Sequence, residues 1–148
     1  MGAEPWEYFV PYQNDVNRAL QDLRKREFEA GRYNPVQPFP SPPEMGVAPG
    51  AQHASIEEAI DAAGADGTRS ILDMQRVASD PDDVDFGVVA PVPADVLQEM
   101  LGTDRPTREM VQDCPELLEG VERGQGIYVI VHKDGKPGEI YFGGYSYD

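Results

Sequence analysis

The chain has 148 residues, and its 12 Lys and Arg against 27 Asp and Glu give a formal net charge of −15. This length predicts one domain, spanning residues 1–148, with a hydrophobic core large enough to be stable without crosslinks. The excess of acids argues against binding to nucleic-acid phosphates or to an anionic membrane surface. A basic protein or a cation remains compatible with this charge.

The cysteine content and the N-terminal residues indicate the cellular compartment of the protein. Cys114 is the single cysteine of the sequence, so no internal disulfide can form and an oxidising compartment is not required. The first residues lack the charged and then apolar layout of a signal peptide. The apolar runs are far shorter than the roughly 20 residues that span a bilayer. We therefore expect a soluble, cytoplasmic protein.

The N-terminal part of the sequence predicts a strand followed by a helix. Residues 5–12 are rich in aromatic side chains, and Pro11 restricts such a strand to a sheet edge, or itself to the strand end, because proline donates no ladder hydrogen bond. Asn14 is the expected helix cap and Gly31 the expected terminator. Apolar side chains recur at helical spacing between them, namely Val16, Ala19, Leu20, Leu23 and Ala30.

Residues 35–50 contain 6 of the chain's 14 prolines. Such a composition is incompatible with a helix and predicts an extended or polyproline-like loop. Pro40-Ser-Pro-Pro43 fits the PxxP pattern of ligands for SH3-like domains. An ordinary loop tethered by its apolar side chains is the favoured interpretation.

The middle of the sequence predicts several short elements. Ser55-Ile-Glu-Glu58 is a capping box for a helix that ends near Ala63. The spacing of the apolar residues in 69–78 fits either a helix or a strand, and we favour a strand. Residues 86–90 predict a short buried strand. Further helices are expected at residues 96–101, at residues 107–111 and from Pro115 onward.

The C-terminal sequence predicts a β-hairpin, with strands at residues 126–132 and 139–142. A two-residue Asp134-Gly135 loop would pair Ile130 with Glu139 and place Pro137 in the ladder. A four-residue loop, residues 134–137, keeps the proline out and pairs His132 with Glu139. We favour the second register because it aligns the apolar side chains better.

The order of these elements predicts an α+β fold, with a small mixed or antiparallel sheet, a C-terminal hairpin and helices packed on one face. Aromatic side chains cluster near both termini. If the terminal strands are neighbours, these aromatics would form one core face with a tyrosine-rich rim. The cluster comprises Trp6, Tyr8, Phe9, Tyr12, Tyr128, Tyr141, Phe142, Tyr145 and Tyr147.

The negative charge is concentrated in two segments without Lys or Arg. Residues 37–68 carry a net charge of −5 and residues 77–104 a net charge of −7. A solvated acidic face that provides solubility would explain both. Alternatively, the segments form a binding surface for a basic protein. The candidate partner-binding residues are Glu57, Glu58, Asp61, Asp80, Asp82, Asp83 and Asp85.

No catalytic motif stands out, which favours a protein-binding function over an enzymatic one. The general profile, small and strongly acidic, resembles that of bacterial immunity and inhibitor proteins. That resemblance is one of composition, and it implies a protein-binding module. We therefore expect an immunity- or inhibitor-like module that uses its acidic central segments.

A small enzyme or ligand-binding domain is the alternative function. Glu27 falls at the centre of the first helix's apolar stripe, where a carboxylate is costly unless it is paired or functional. Arg24, Arg32 or Tyr33 could pair with it, unless the last helical turn leaves it exposed. His132 opposite Glu139 would give a carboxylate-oriented imidazole. These three candidates, Glu27, His132 and Glu139, would line a pocket rich in tyrosine.

Metal and cofactor sites are not expected. Asp80-Pro-Asp-Asp-Val-Asp85 has the oxygen-rich spacing that Ca²⁺ prefers, but it lacks the Gly and the Glu that an EF-hand loop requires at its sixth and twelfth positions. One cysteine and two histidines give no paired zinc spacing. No glycine-rich phosphate loop precedes a helix. We therefore expect neither a metal nor an organic cofactor.

Overall fold

The computed structural model describes residues 3–35 and 47–147. They form the predicted α+β fold, with a five-stranded mixed sheet. The strands are β1 (Pro5–Pro11), β2 (Arg76–Val77), β3 (Val88–Pro91), β4 (Gly126–Lys133) and β5 (Lys136–Tyr145). The α-helices are α1 (Val16–Ala30), α2 (Ile56–Ala63), α3 (Ala94–Leu101) and α4 (Arg108–Gln112). Short 3-10 helices cover Gly64–Asp66, Ile71–Asp73 and Pro115–Leu118.

The strand order is β1-β5-β4-β3-β2. β1, β5 and β4 pair antiparallel, whereas β4, β3 and β2 pair parallel. The terminal strands are therefore neighbours, and Tyr8 lies opposite Phe142. β1 is an edge strand that ends at Pro11, as the proline predicted.

Helix α1 covers one face of the sheet. Its Ala19, Leu20 and Leu23 are buried in a cluster with Trp6, Val10, Ile71, Met74, Val89, Ile140 and Phe142. The predicted stripe is therefore largely confirmed, although Ala30 is exposed. The cap differs from the prediction, because Asp15, not Asn14, accepts a hydrogen bond from the Arg18 amide. Gly31 ends the helix in the left-handed conformation, with φ of 73°.

Helix packing extends to the opposite face of the sheet. A second cluster joins α3, α4 and the 3-10 helix Pro115–Leu118 to that face. Its buried members are Leu97, Val111, Leu117, Val129, Val131 and Tyr141. The terminal aromatics are divided between the two clusters because side chains alternate along each strand. The predicted single aromatic face is therefore wrong.

The hairpin has a different register from the favoured prediction. A two-residue turn at Asp134-Gly135 joins β4 to β5, and both residues have positive φ, 54° and 76°, as type I′ hairpin turns require. His132 lies opposite Pro137, and a register shift then places Val131 opposite Glu139. The His132 amide donates outside the hairpin, to the Pro106 carbonyl at 2.8 Å.

The strand predicted over residues 69–78 is mostly wrong. Ile71–Asp73 forms a 3-10 helix, and only Arg76–Val77 is a strand. Local polar bonds explain the difference, since the Ser70 hydroxyl accepts from the Leu72 amide at 3.2 Å. The predicted helices at residues 96–101 and 107–111 are confirmed, and so is the helix capped by Ser55.

The proline-rich segment lies mostly outside the described residues. Residues 36–46 include Pro40-Ser-Pro-Pro43, so the loop and its PxxP motif stay predictions. Within the described ranges, no helix has the length and apolar character needed to cross a bilayer.

Candidate functional site

An acidic turn at residues 80–86 connects β2 to β3. Asp80 accepts a hydrogen bond from the Asp82 amide at 2.9 Å, and Asp85 accepts one from the Phe86 amide at 2.7 Å. Both bonds are local side-chain-to-backbone contacts that favour a turn over a regular element. The carboxylates of Asp80, Asp82 and Asp85 belong to exposed residues.

Asp83 differs from its neighbours because it pairs with a base. Its two carboxylate oxygens accept from Nη1 and Nη2 of Arg76 at 2.7 and 3.2 Å. This bidentate hydrogen bond lowers the pKa of Asp83 and raises the pKa of Arg76. Asp83 therefore fixes the turn to β2, while the other three aspartates face solvent.

Two large apolar side chains project from the same turn. Phe86 is 64% exposed, and Val84 is also exposed. The predicted buried strand thus begins at Val88, and the expectation that Phe86 belongs to it is wrong. The Phe86 ring contacts the Tyr147 ring, with centroids 5.8 Å apart. Beside it lies a mainly apolar groove of about 480 Å³, which Val121 and Tyr145 also line.

The acids of α2 lie near Arg24. Glu57 and Asp61 line a cavity of about 350 Å³ together with Arg24 and Gln75. Burial lowers the pKa of Arg24, and the nearby Glu57 carboxylate opposes this effect. Glu58 accepts a hydrogen bond from the Ala54 amide at 3.3 Å, which completes the predicted capping box one residue before Ser55. These three acids therefore have local roles at the helix start and around Arg24.

Glu27 is buried, with 6% exposure. Its Oε2 accepts a hydrogen bond from Nε of Arg32 at 2.5 Å, and Nη2 of Arg32 forms an ion pair with the same oxygen at 2.5 Å. The sequence left open whether Glu27 is exposed on the last turn of α1, and in the structure its carboxylate is buried. The pair with Arg32 is one of the three pairings that the sequence offered.

His132 and Glu139 line one cavity but do not pair with each other. The predicted cross-strand pair is wrong, because the two-residue turn places His132 opposite Pro137. Glu139 instead accepts from Nη1 of Arg108 at 3.0 Å, and the Arg108 guanidinium lies 4.3 Å from the centre of the Phe9 ring. Glu27 is not among the described residues that line this cavity.

The hairpin cavity, about 560 Å³, has a lining that is about equally polar and apolar. Besides His132 and Glu139, its lining includes Arg108, Glu109 and Lys133. The Nδ1 atom of His132 is buried and has no hydrogen-bond partner within the described chain. No tyrosine is among the described lining residues, so the geometry differs from the tyrosine-lined pocket that the sequence suggested.

Sequence reasoning missed a buried carboxylate at Asp73, which is 1% exposed. Its Oδ1 accepts from the Thr68 amide at 2.7 Å and from the Thr68 hydroxyl at 2.8 Å, whereas Oδ2 has no partner within the described chain. Burial raises the pKa of Asp73, and the hydrogen bonds from Thr68 oppose this effect. The polar pattern Thr-Arg-Ser before Ile71 was the available signal for a local turn.

Metal coordination has no support among the described residues. Residues 3–35 and 47–147 contain no group of three or more His, Cys, Asp or Glu side chains arranged to hold a metal ion. Cys114 is half-buried, and burial together with the nearby Glu116 raises its pKa. The thiol is therefore a weak nucleophile.

Comparison with known proteins gives no match. Families of proteins, curated protein sequences and solved structures were each compared with the chain, and none is significantly similar to it.

Proposed function

We propose that this protein is a binding module for a basic protein, with the acidic turn at residues 80–86 as its contact surface. The observation that carries the proposal is the exposure of Phe86, 64%, within a turn of four aspartates. Buried aromatic anchors supply much of the binding energy in protein interfaces. The surrounding carboxylates would steer a positively charged partner and fix its orientation.

The arrangement of the turn supports a preformed contact surface. Asp83 is held by Arg76, and Asp80 and Asp85 each bind a backbone amide of the turn. Little conformational entropy would therefore be lost when a partner binds. The mainly apolar groove beside Phe86 offers space for a side chain of the partner. An immunity- or inhibitor-like role is one form that such binding could take.

The α2 acids would have a secondary part in this function. Glu57 and Asp61 lie around Arg24, whose positive charge offsets part of their field. Glu58 is engaged at the helix start. These three residues therefore contribute to long-range attraction rather than to direct contact.

The test is affinity capture from a lysate of the source cells, followed by identification and by binding measurements with the purified partner. The wild-type chain should retain a basic protein at low salt and release it as salt rises. Phe86→Ala should weaken binding by about tenfold or more. The triple variant Asp80→Asn, Asp82→Asn, Asp85→Asn should bind more slowly and with less dependence on salt.

A charge-matched control uses exposed acids elsewhere, Glu29→Gln, Asp66→Asn and Glu119→Gln, and it should bind like the wild type. If this control loses as much affinity as the triple turn variant, total charge and not the turn determines binding. Equal binding by wild type and Phe86→Ala would contradict the proposal directly.

A ligand-binding function at the hairpin cavity is the second candidate, favoured by the polar side chains of His132, Arg108 and Glu139 in its lining. A polar small molecule in the cavity would hydrogen-bond to these side chains. Screening a library of small acids and amines by the imidazole resonances of His132 tests it, with His132→Gln as the comparison. Resonances that no compound shifts would contradict this second function.

A further inference from the structure

A second exposed apolar surface lies on the opposite side of the sheet from α1, between α3 and α4. Here an open groove of about 540 Å³ is lined by Met100, Leu101, Met110 and Cys114. Met100 is 37% exposed and Met110 is 42% exposed. Two large apolar side chains thus remain in solvent at the same place, although each belongs to a helix with a buried face. We call this surface the methionine groove.

The floor of the methionine groove is part of the folded core. Leu101 and Cys114 pack against the cluster that contains the buried Leu97 and Val111. The Thr107 hydroxyl caps α4 by accepting from the Met110 amide at 3.4 Å. The backbone is therefore fixed, while the unbranched methionine side chains can adapt to different apolar shapes.

The charged side chains that line the methionine groove are both acidic. Asp113 and Glu116 are the charged residues among those described to line it, and both are exposed. Arg108, the base of α4, is held by Glu139 and by the Phe9 ring.

We infer that the methionine groove binds a basic amphipathic helix of a partner protein. The apolar face of such a helix, with large side chains at positions i, i+3 or i+4 and i+7, would cover Met100 and Met110. Its flanking Lys or Arg would pair with Asp113 and Glu116. This inference adds a partner class and a surface that shares no residue with the turn at residues 80–86.

Charge complementarity selects this occupant over the alternatives. A second copy of the chain would bring another net charge of −15 to the same face and would oppose the acids of the groove with acids. An anionic membrane surface is disfavoured for the same reason. A neutral apolar helix would fill the groove but would gain no electrostatic attraction from Asp113 and Glu116.

Methionine methyl resonances give a direct test. The chain is labelled with ¹³C at the methionine methyl groups, and Met100 and Met110 are assigned by single substitutions to Leu. The probe is a Leu/Lys peptide of about 18 residues, long enough for an amphipathic helix, and a Leu/Glu peptide of the same pattern is its control. The Leu/Lys peptide should shift both signals, while Met74, buried at 0% exposure, should not shift.

Surface variants determine where the peptide binds. Met100→Gln with Met110→Gln should weaken binding of the Leu/Lys peptide by about tenfold or more. Asp113→Asn with Glu116→Gln should weaken it severalfold at low salt and reduce its salt dependence. The charge-matched pair Glu29→Gln and Asp66→Asn should leave the affinity nearly unchanged. Val84→Gln with Phe86→Gln should also have little effect, which separates this inference from the proposed function.

Three results would overturn the inference. One is equal affinity for the Leu/Lys and Leu/Glu peptides. Another is a basic peptide that binds without shifting Met100 or Met110, because binding would then be a general effect of the negative charge. The third is a concentration-dependent shift of both methionine signals without peptide, which would assign the groove to self-association.

Discussion

The carboxylate of Glu27, buried with 6% exposure, is held by the guanidinium of Arg32, whose side chain is 59% exposed. Nε of Arg32 donates to Oε2 of Glu27 at 2.5 Å, and Nη2 forms an ion pair with the same oxygen at 2.5 Å. The Arg32 amide also donates to the Glu27 carbonyl at 3.0 Å. The hydrogen bond to Glu27 raises the pKa of Arg32. The ion pair thus connects the buried Glu27 of α1 to Arg32, which follows the end of the helix.

The Glu27–Arg32 pair gives the first prediction. Arg32→Ala should lower the free energy of unfolding more than Glu27→Gln does, because it leaves a buried carboxylate without its donor. The double variant should lose less free energy of unfolding than the sum of the losses in the two single variants. Urea unfolding followed by circular dichroism measures all three. Strictly additive losses would show that the two side chains do not interact in the folded state.

Arg108 gives the second prediction, because it combines an ion pair with Glu139 and a cation–π contact with Phe9. Arg108→Ala should lower the free energy of unfolding by about 1 kcal/mol, since each contact is partly exposed. Arg108→Lys should recover only part of this loss, because an ammonium group cannot lie flat over the ring while it bonds to the carboxylate. Full recovery by Lys would assign the effect to charge alone.

The sequence predicted the elements whose signals are local. α1 has an apolar stripe at helical spacing and a terminal Gly31, and both signals lie within the helix itself. The hairpin was evident for the same reason. The predicted register was wrong because β4 shifts its register between Val131 and His132, where the His132 amide donates to the Pro106 carbonyl. That contact comes from a distant segment, so no pattern within the hairpin shows it.

The candidate sites were predicted only as far as composition allows. The acidic segment at residues 77–104 was evident from its charges, but the exposure of Phe86 was not. An aromatic residue before the apolar run 88–90 is typical of a buried strand, whereas Phe86 belongs to the turn that the Asp83–Arg76 ion pair stabilises. Asp73 was missed because its burial depends on contacts among several segments. The methionine groove was missed since Met100 and Met110 fit the helical stripes equally well as core residues.

Asp73 gives the third prediction, a pH dependence. Burial raises the pKa of Asp73 in the folded protein above its unfolded value of about 3.9. The folded state therefore binds this proton more tightly. The contribution of Asp73 to the free energy of unfolding should be largest below pH of about 4 and should fall as the pH rises through the raised pKa. The groups that face it include Thr68, Arg24, Tyr8 and Tyr147.

Asp73→Asn isolates this effect, because Asn does not titrate and can still accept from Thr68. The difference in unfolding free energy between wild type and Asp73→Asn should shrink as the pH rises, by at most about 1.4 kcal/mol per pH unit. Asp73→Ala should show the same dependence on pH and should lower the free energy of unfolding by about 1–3 kcal/mol more than Asp73→Asn, because it leaves the buried Thr68 amide without an acceptor. A pH-independent difference for Asp73→Asn would contradict the raised pKa.

The rings of Tyr147 and Phe86 lie directly against Gly124, and this contact gives the fourth prediction. A Cβ atom at Gly124 would clash with both rings, and its φ of 74° is also unfavourable for other residues. Gly120 provides a matched control, because its φ is 83° and a Cβ atom there would have no neighbour within 4 Å. Gly120→Ala should lower the free energy of unfolding by about 1 kcal/mol, because alanine is strained in the left-handed conformation. Gly124→Ala should lower it clearly more.

The additional loss of stability in Gly124→Ala, relative to Gly120→Ala, measures the clash of the new methyl group with the rings of Tyr147 and Phe86. Adding Tyr147→Ala to Gly124→Ala should recover part of that excess, because the new methyl group then meets one ring fewer. Gly124→Ala should also displace Phe86 and weaken partner binding at the acidic turn, whereas Gly120→Ala should not. Equal losses of stability in the two glycine variants would show that the rings move aside without cost, and Phe86 would then not be held in position by its packing against Gly124.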